Sequence, residues 1–286
     1  MMLDLEGMKL SVITLTYNKL EYTKKFIESL YKYTKDFELI IVDNGSTDGT
    51  VEYLKSLKDV KLILNNENKG FSAGNNQGIE LAEGEYIGFL NNDILLYPEW
   101  FEACEEVFKI EKAAFISPRH INPHYDTTDE KSYINYFKNN FKYAQKYEKS
   151  FDECVFSCVI TKRTVLNNLG LFDENYTQAF FEDNDFKYRA IEAGYGVFVT
   201  NEACFFHFGS VTSKTLNQNL EANRKYYYSK YPFAEYLSIS GSEKYQLQRM
   251  AKQFRVFPLN KMYEIYLICI KIKNRLNKII TKGKKS

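Results

Sequence analysis

The sequence has few cysteines and no long apolar run. Its cysteines are spread along the chain without a CxxC pair: Cys104, Cys154, Cys158, Cys204 and Cys269. An odd number at such spacing predicts neither a disulfide framework nor a zinc ribbon, and it favours a reducing compartment. No stretch of about 18 apolar residues occurs, and the first residues lack the basic start and apolar core of a signal peptide. We therefore expect a cytoplasmic protein that does not span a membrane.

Glycine-rich phosphate loops are also missing. The first apolar run, LSVITLT, is followed by TYNKLEY, whereas a dinucleotide fold needs GxGxxG there so that the backbone can approach a pyrophosphate. No GxxxxGK[ST] loop occurs in the chain. Any nucleotide that the protein binds must therefore be held in another way.

Apolar, β-branched runs alternate with helix-period segments through the first third of the chain. The runs are LSVITLT, FELIIVD, VKLILN and YIGFLN, and helices are expected from about Glu21, after Thr47 and near Asn76. This order predicts an α/β fold of mostly parallel strands flanked by helices. Parallel sheets bind ligands at the carboxyl ends of their strands, so the residues that end these runs are the candidate site.

Polar residues end most of the predicted strands. They are Thr16, Tyr17 and Asn18; Asp43, Asn44 and Gly45; Asn65 to Asn68; and Asn91, Asn92 and Asp93. Asp43 can accept hydrogen bonds from a base or ribose, and it can equally cap the turn at Gly45 or Ser46. Asp93 beside two amides offers hard oxygen ligands, which suit Mn²⁺ or Mg²⁺ bridging two phosphates.

Gly70, Gly74 and Gly78 recur at a spacing of four before the YIGFLN run. Glycine leaves room for close approach, so a helix can start there against a ligand or a strand. Helix packing alone would explain the same spacing.

An acidic cluster and a histidine follow downstream. Glu182, Asp183 and Asp185 crowd a predicted helix start, and like charges at close range raise at least one pKa, which favours a general base. The alternative is an ordinary acidic first turn facing the helix dipole, with Lys187 paired to Asp183. His207 lies among phenylalanines, where a buried structural histidine is equally compatible.

The middle of the chain, residues 121–151, has no clear period and predicts an insertion or a loosely helical excursion over the sheet. Its aromatic residues either line a sugar-binding face or form a satellite hydrophobic cluster: Tyr133, Tyr136, Phe137, Phe141 and Tyr143. His120 and His124 nearby lack cysteine or carboxylate partners at zinc spacing, so we expect no zinc site there.

The end of the chain is helical and basic. From about Leu216 the sequence becomes polar and helical, and after Glu264 it has seven basic residues and no acidic one. Apolar residues from Met262 to Ile280 recur at three- and four-residue spacings, which predicts an amphipathic helix. Such a helix packs on its own domain or on a second subunit, or it lies on an anionic membrane surface. A basic tail does not form a folded surface that recognises nucleic acid, so nucleic acid is not an expected partner.

Five ordered motifs resemble those of family 2 glycosyltransferases with the GT-A fold: TYN, IIVDNGSTDGT, NKGFSAGNNQGIELAEGEYIGFLNND, FFEDNDFKYRAIEAGY and HFGS. The resemblance runs from near Lys9 to near Ser213. It implies a GT-A (Rossmann-like) catalytic domain over residues 1–215, with a nucleotide-binding half near 8–117 and an acceptor half near 118–215. Residues 216–286 would form a helical C-terminal extension.

The resemblance also implies roles for single residues. The residues expected at the nucleotide-sugar donor are Thr16, Asn18, Asp43, Asn68, Gly70, Asn75, Asn91 and Asn92. Thr16 and Asn18 would border the nucleotide, whereas Asp43 and Asn68 would contact the base or ribose. Asn75 falls near a position where many members carry an arginine.

The family's DxD-type motif binds a divalent metal and the donor diphosphate. Its first acid is Asn91 here, so Asp93 is expected to be the main protein ligand of Mn²⁺ or Mg²⁺, with His207 completing the metal shell. Asp183 of the ED pair matches the catalytic base of inverting members. The implied reaction is inverting transfer from a UDP- or dTDP-sugar to an acceptor hydroxyl.

The implied enzyme is a hexosyl-, N-acetylhexosaminyl- or rhamnosyltransferase. Its acceptor would be a cell-surface glycan, a lipid-linked glycan or a protein, and its location the cytoplasm or the inner face of the plasma membrane. Two alternatives stay open. A sugar nucleotidyltransferase would need a phosphate loop where TYNKLEY stands, and a non-catalytic glycan-binding protein would be expected to lose Asp183 or Asp93.

Overall fold

The computed structural model describes residues 9–121, 129–141, 143–209 and 217–231. Its strands are β1 (Leu10–Thr16), β2 (Phe37–Asp43), β3 (Val60–Leu64), β4 (Tyr86–Leu90), β5 (Ile94–Leu96), β6 (Ala113–His120), β7 (Tyr147–Lys149), β8 (Cys158–Lys162) and β9 (Gly196–His207). Its helices are α1 (Leu20–Tyr33), α2 (Thr50–Ser56), α3 (Gly70–Leu81), α4 (Trp100–Val107), α5 (Glu130–Asn140), α6 (Arg163–Leu169), α7 (Glu182–Glu192) and α8 (Asn217–Lys230).

The strands of the described residues form one mixed sheet in the order β3-β2-β1-β4-β8-β6-β9-β5, with β7 also on β9. Strands β3, β2, β1 and β4 are parallel, as the alternation of apolar runs and helices predicts. β8 runs antiparallel to β4 and β6, whereas β6 and β9 are parallel. β5 and β7 pair antiparallel with β9. The predicted α/β fold, a mostly parallel mixed sheet flanked by helices, is therefore confirmed.

Hydrophobic layers on the two faces of the sheet hold the helices in place. Phe26, Leu30 and Trp100, from α1 and α4, belong to one layer and are fully buried. Phe172 and Phe186 belong to the other, which also covers β4, β6, β8 and β9. Strands covered on both faces need apolar residues at most positions, which explains the largely apolar runs in β1, β2 and β4. The polar residues within them, Ser11, Thr14 and Glu38, are themselves buried.

Helix α5 of the middle segment packs into a satellite hydrophobic cluster. Tyr133 is buried, and its single hydroxyl hydrogen is shared between the carbonyl oxygens of Ile121, at 2.5 Å, and Phe205, at 2.7 Å. Its ring stacks on Tyr97 with centroids 4.5 Å apart, and Phe137 is buried beside them. The predicted hydrophobic cluster is therefore present for Tyr133, Tyr136, Phe137 and Phe141, whereas Tyr143 is exposed.

The chain divides into two compact units, Met1–Tyr227 and Tyr228–Ser286. The predicted boundary at residue 215 stays a prediction, and the predicted amphipathic tail and His124 lie outside the described residues. Among the described helices, none is long and apolar enough to cross a membrane. The described cysteines, Cys104, Cys154, Cys158 and Cys204, are free and buried.

Candidate active site at the carboxyl edge of the sheet

Asp43 is the centre of a hydrogen-bonded turn at the tip of β2. One carboxylate oxygen accepts from the amides of Gly45, at 3.1 Å, and Ser46, at 2.8 Å. The other accepts from the hydroxyls of Thr16, at 2.7 Å, and Ser46, at 2.5 Å. Asp43 is only 1% exposed. The capping alternative is thus present in the structure, and it locks the tips of β1 and β2 together.

Asn18 and Asp48 fix the loop that follows. The Asn18 side-chain oxygen accepts from the Thr47 backbone amide at 2.7 Å, and the Asn18 backbone amide donates to the Ser46 hydroxyl at 2.6 Å. Asp48 accepts from the Leu20 and Thr50 amides, both at 3.2 Å, and so caps both α1 and α2. Asn18 itself has a φ of 59°, a left-handed conformation that asparagine tolerates better than most residues.

The start of α3 lies against the same loops. Asn44 donates to the Gly70 carbonyl oxygen at 3.3 Å and accepts from Asn65 at 3.0 Å. The exposed Asn68 accepts from the Gly70 amide at 2.9 Å. Gly70 has a φ of 86°, and a Cβ there would meet the Gln178 backbone at 3.0 Å. Position 70 therefore needs glycine for two reasons: its backbone is left-handed, and the Gln178 backbone leaves no room for a Cβ atom.

Two asparagines on α3 have internal partners. The buried Asn75 donates to the Phe71 carbonyl oxygen at 2.9 Å, within its own helix. Asn76 exchanges hydrogen bonds with the Phe172 backbone, both at 3.0 Å, and donates to Glu174 at 2.8 Å. Asn76 therefore holds the chain that leads toward α7 against α3.

The NND sequence forms the turn between β4 and β5. The Asn91 amide donates to the Ser157 carbonyl oxygen at 2.9 Å. Asn92 donates to the Thr23 hydroxyl of α1 at 2.9 Å, which ties the turn to the helix. The Asn91 and Asn92 side chains are partly exposed.

Asp93 and His207 meet at this turn. Strand β5 pairs with the end of β9, with Ile94 opposite His207, and the Phe208 amide donates to the Asp93 carbonyl oxygen at 3.0 Å. As a result Asp93 Oδ1 and His207 Nε2 are 3.0 Å apart, with side chains 12% and 18% exposed. The structure thus brings together the two residues that were expected to share a metal. Among the described residues no group of three metal-binding side chains occurs.

His120 lies next to this pair, which the sequence did not predict. It ends β6, and its ring centroid is 5.9 Å from that of His207. Burial, together with the nearby His207, lowers the pKa of His120 to about 4. His120 is therefore a neutral imidazole at physiological pH.

The three acids at the start of α7 have different surroundings. Asp185 is fully buried and accepts from Arg189 at 2.9 Å and from the Tyr176 hydroxyl at 3.2 Å. Glu182 is buried, and burial, reinforced by Asp183, raises its pKa to about 8. Asp183 is the most accessible, with its side chain 29% exposed. The predicted rise of one pKa in this cluster thus falls on Glu182.

A short segment links the acidic cluster to the NND turn. Lys187, which lies 3.6 Å from Asp183 Oδ2, donates to the Cys154 carbonyl oxygen at 3.2 Å. Three residues further on, the Ser157 carbonyl oxygen accepts from the Asn91 amide. Three residues of chain span at most about 11 Å. The acidic cluster and the NND turn therefore belong to the same end of the sheet.

The chain is similar to proteins of one known family. Residues 11–170 match the family described as Glycosyl transferase family 2. The chain is 34% identical over 175 residues to an uncharacterized glycosyltransferase of Rickettsia felis, covering 60% of this chain and 28% of that protein. It is 27% identical over 268 residues to one of Rickettsia typhi, covering 90% of this chain and 83% of that protein. The chain spans less than a third of the length of the first relatives.

Two solved structures share the fold. One is S. aureus TarS 1-349, at a TM-score of 0.52 and 20% identity over 70% of this chain and 60% of that chain. The other is GalNAc-T7 with UDP, GalNAc and Mn²⁺, at a TM-score of 0.57 and 16% identity over 80% of this chain and 51% of that chain. At these identities the likeness concerns the fold alone.

Proposed function

This chain belongs to glycosyl transferase family 2, and from that membership and the site geometry we propose that it is an inverting, metal-assisted transferase. It would move a sugar from a nucleotide-sugar donor, UDP- or dTDP-linked, to an acceptor hydroxyl. The observation that carries the proposal is the meeting of Asp93 and His207, 3.0 Å apart, at the same end of the sheet as the accessible carboxylate of Asp183.

The nucleotide would lie over the tips of β1 and β2 and the start of α3. Thr16, Asn18, Asp43 and Asn68 border this place, and their internal hydrogen bonds support a preformed cradle. Such a cradle lowers the entropic cost of binding because its loops are already ordered. Gly70 and Asn75 would contribute the start of α3, while Asn91 and Asn92 would face the diphosphate.

Asp93 and His207 fit a hard divalent cation such as Mn²⁺ or Mg²⁺. Two ligands about 2.1 Å from an octahedral ion lie about 3 Å apart, which is the separation at which these side chains hydrogen-bond to each other. Sites of this type often use one or two protein groups and complete the shell with water and substrate phosphates, so a third protein ligand is not required. When bound, the cation would offset the negative charge that develops on the departing diphosphate.

Asp183 would act as the general base. Its carboxylate would accept the proton of the acceptor hydroxyl as the oxygen attacks the anomeric carbon opposite the leaving diphosphate, which inverts the configuration. Asp185 is poorly suited to this role because Arg189 and Tyr176 already occupy its carboxylate. Glu182 is buried and largely protonated at neutral pH.

The sugar would be a hexosyl, N-acetylhexosaminyl or rhamnosyl group, and the acceptor a surface glycan, a lipid-linked glycan or a protein. The basic tail would pack on the protein or on a second subunit, the alternative being that it places the enzyme on the inner face of the plasma membrane. Liposome co-sedimentation of full-length protein and a variant ending at Leu259 tests this. Equal sedimentation on anionic liposomes would contradict membrane binding by the tail.

A screen of nucleotide sugars in the presence of Mn²⁺ tests the proposed activity. A donor that binds the folded state raises its melting temperature, and slow hydrolysis of the same donor would release the nucleoside diphosphate. The matched control is the same screen with EDTA, in which both signals should be lost. The proposal is rejected if no nucleotide sugar shifts the melting temperature and none is hydrolysed.

A further inference from the structure

Lys187 is a buried lysine on α7 whose ammonium group has three kinds of partner. The residue is 3% exposed. Its Nζ donates to the carbonyl oxygens of Phe151 and Cys154, both at 3.2 Å, and lies 4.5 Å from the centroid of the Phe151 ring. It also lies 3.6 Å from Asp183 Oδ2. A lysine is rarely buried so deeply unless its charge is paired, because removing the charge from water is costly.

The pairing falls on Asp183 and not on the neighbouring acids. An ammonium has three hydrogens to donate, and the two carbonyl oxygens use two of them. Asp185 is held by Arg189 and Tyr176, and Glu182 keeps its proton at neutral pH because burial raises its pKa to about 8. Asp183 is therefore the anion of this cluster that balances Lys187.

The Asp183 carboxylate is held from two sides. Its Oδ1 accepts from the Asn184 amide at 2.7 Å, and its Oδ2 faces Lys187 Nζ. A carboxylate on a helix start otherwise rotates about its side-chain bonds, and general-base catalysis depends on the direction in which its oxygens point. These two contacts restrict that rotation.

Lys187 also connects Asp183 to the rest of the site. Its two carbonyl partners lie in the 151–157 segment, and the last residue of that segment, Ser157, accepts from the Asn91 amide. One short stretch of backbone therefore contacts both the lysine beside the acid and the NND turn.

We propose that Lys187 is a positioning residue. It orients the Asp183 carboxylate toward the acceptor hydroxyl and fixes the position of that carboxylate relative to the NND turn. This inference rests on the proposed function, in which Asp183 is the base. Lysine is suited to the role because its ammonium can donate to backbone carbonyls and face a carboxylate at once.

The experiment is a double-mutant cycle of Lys187→Met and Asp183→Asn. We measure kcat and KM for nucleoside diphosphate release from the donor identified in the screen, where water takes the place of the acceptor. Lys187→Met is expected to lower kcat about tenfold to a hundredfold, the scale of a misplaced catalytic group, with the donor KM little changed. In the Asp183→Asn background the same change should lower kcat no further, because residues that act through one another are not additive.

Arg119→Met is the matched control for losing a buried cation. Arg119 is 5% exposed. It donates to Glu153 of the same 151–157 segment, and to Glu148 of β7 and Asn201 of β9. Arg119→Met should lower the melting temperature as Lys187→Met does, since removing a buried ionic partner costs stability. Its kcat should stay within about threefold of the wild-type value. If Lys187→Met does not fold, Lys187→Gln keeps one donor for a carbonyl oxygen and enters the same cycle.

The outcomes separate the two proposals. If Asp183→Asn leaves kcat unchanged, the base of the proposed function is wrong. If Asp183→Asn lowers kcat but the Lys187 variant is neutral, or lowers kcat by the same factor in both backgrounds, Lys187 serves only the fold and the positioning role is overturned. The positioning role is also overturned if Arg119→Met lowers kcat as strongly as Lys187→Met.

Discussion

The nucleotide-side loops, residues 16–18, 43–50 and 65–70, differ from the reactive edge, which comprises the NND turn, His207 and residues 182–187. In the loops, polar groups satisfy one another: the Asp43 carboxylate alone accepts four hydrogen bonds from Thr16, Gly45 and Ser46. At the reactive edge, charged or ionisable groups face each other in pairs, Asp93 with His207 and Asp183 with Lys187. The polar groups of the loops are thus already satisfied by one another, whereas Asp93 and His207 can exchange their mutual hydrogen bond for a bound cation.

One buried atom sharpens this difference. Among the described residues Glu182 Oε2 is a buried side-chain oxygen without a hydrogen-bond partner. Such an atom costs about 1–3 kcal/mol. Five other buried side-chain oxygens of the described residues share this state, and none of them lies in residues 16–18, 43–50 or 65–70. The reactive edge therefore carries a cost that these loops avoid, although the cost is not confined to it.

The largest expected effect is that of Asp93→Ala, which removes the only carboxylate of the NND turn. We expect metal-dependent binding of UDP to be lost, because the two asparagines beside it offer the cation only neutral oxygens. Calorimetry with UDP and Mn²⁺ measures this. His207→Ala should weaken the binding less, since water can replace one neutral ligand.

Exposed Glu102 on α4 supplies the control, because Glu102→Ala removes a carboxylate away from the strand ends. Unchanged UDP affinity in Asp93→Ala would exclude Asp93 as the metal ligand. If His207→Ala leaves both binding and turnover intact, His207 is structural.

Asp183→Asn tests the other charged pair. It keeps the shape and hydrogen-bonding capacity of the side chain but cannot accept a proton, so kcat should fall by about 10²-fold or more, with little change in donor affinity. Steady-state kinetics on the donor found by the screen measure both. The base has been misassigned if Asp183→Asn turns over near normally while Glu182→Gln or Asp185→Asn does not.

Asp43→Ala, in the nucleotide-side loops, should affect donor binding and stability and leave kcat unchanged, the reverse of Asp183→Asn. It leaves the amides of Gly45 and Ser46 and the Thr16 hydroxyl without their acceptor, so the free energy of unfolding should fall by about 2–3 kcal/mol. The donor KM should rise while kcat at saturating donor is retained, because the loss concerns binding and not the reacting atoms. Urea unfolding and steady-state kinetics measure the two effects. A fall in kcat without a rise in KM would place Asp43 at the reacting centre and remove the distinction between the two regions.

The smallest effect on activity is expected for Glu182→Gln, whose effect on stability depends on pH. The pKa of Glu182 is raised from its ordinary 4.5 to about 8 in the folded state. Between these values the unfolded chain releases the proton and the folded chain keeps it, so wild-type stability falls as pH rises from about 4.5 to about 8. The variant lacks this loss. Its melting temperature relative to wild type should therefore rise as the pH is raised over that interval.

Exposed Glu192 lies at the other end of α7, and Glu192→Gln is the control for the removal of one charge from the helix. Differential scanning calorimetry at pH 5 and pH 8.5 measures both variants. A Glu182→Gln difference that does not grow with pH would mean that Glu182 is ionised in the folded protein.

Much of this molecule follows from local sequence patterns. The runs LSVITLT and FELIIVD are strands β1 and β2 as predicted, and helices follow them as the period of apolar residues indicates. The polar residues at the strand ends and the acidic start of α7 were also identified, because strand and helix periods and turn residues are properties of neighbouring positions. The resemblance to a family added roles for Asp93, His207 and Asp183, which remain predictions.

Contacts between distant parts of the chain depended on the tertiary structure. Asp93 reaches His207 only because β5 pairs with the end of β9 in one register, and His120 joins them because β6 lies beside β9. Lys187 is a charged helix residue by sequence, yet packing of α7 against the 151–157 segment buries it. The sequence by itself thus determined the elements and the polar residues at their ends. Which of those residues face each other was decided by strand register and core packing, since one residue of slip would turn every side chain to the opposite face.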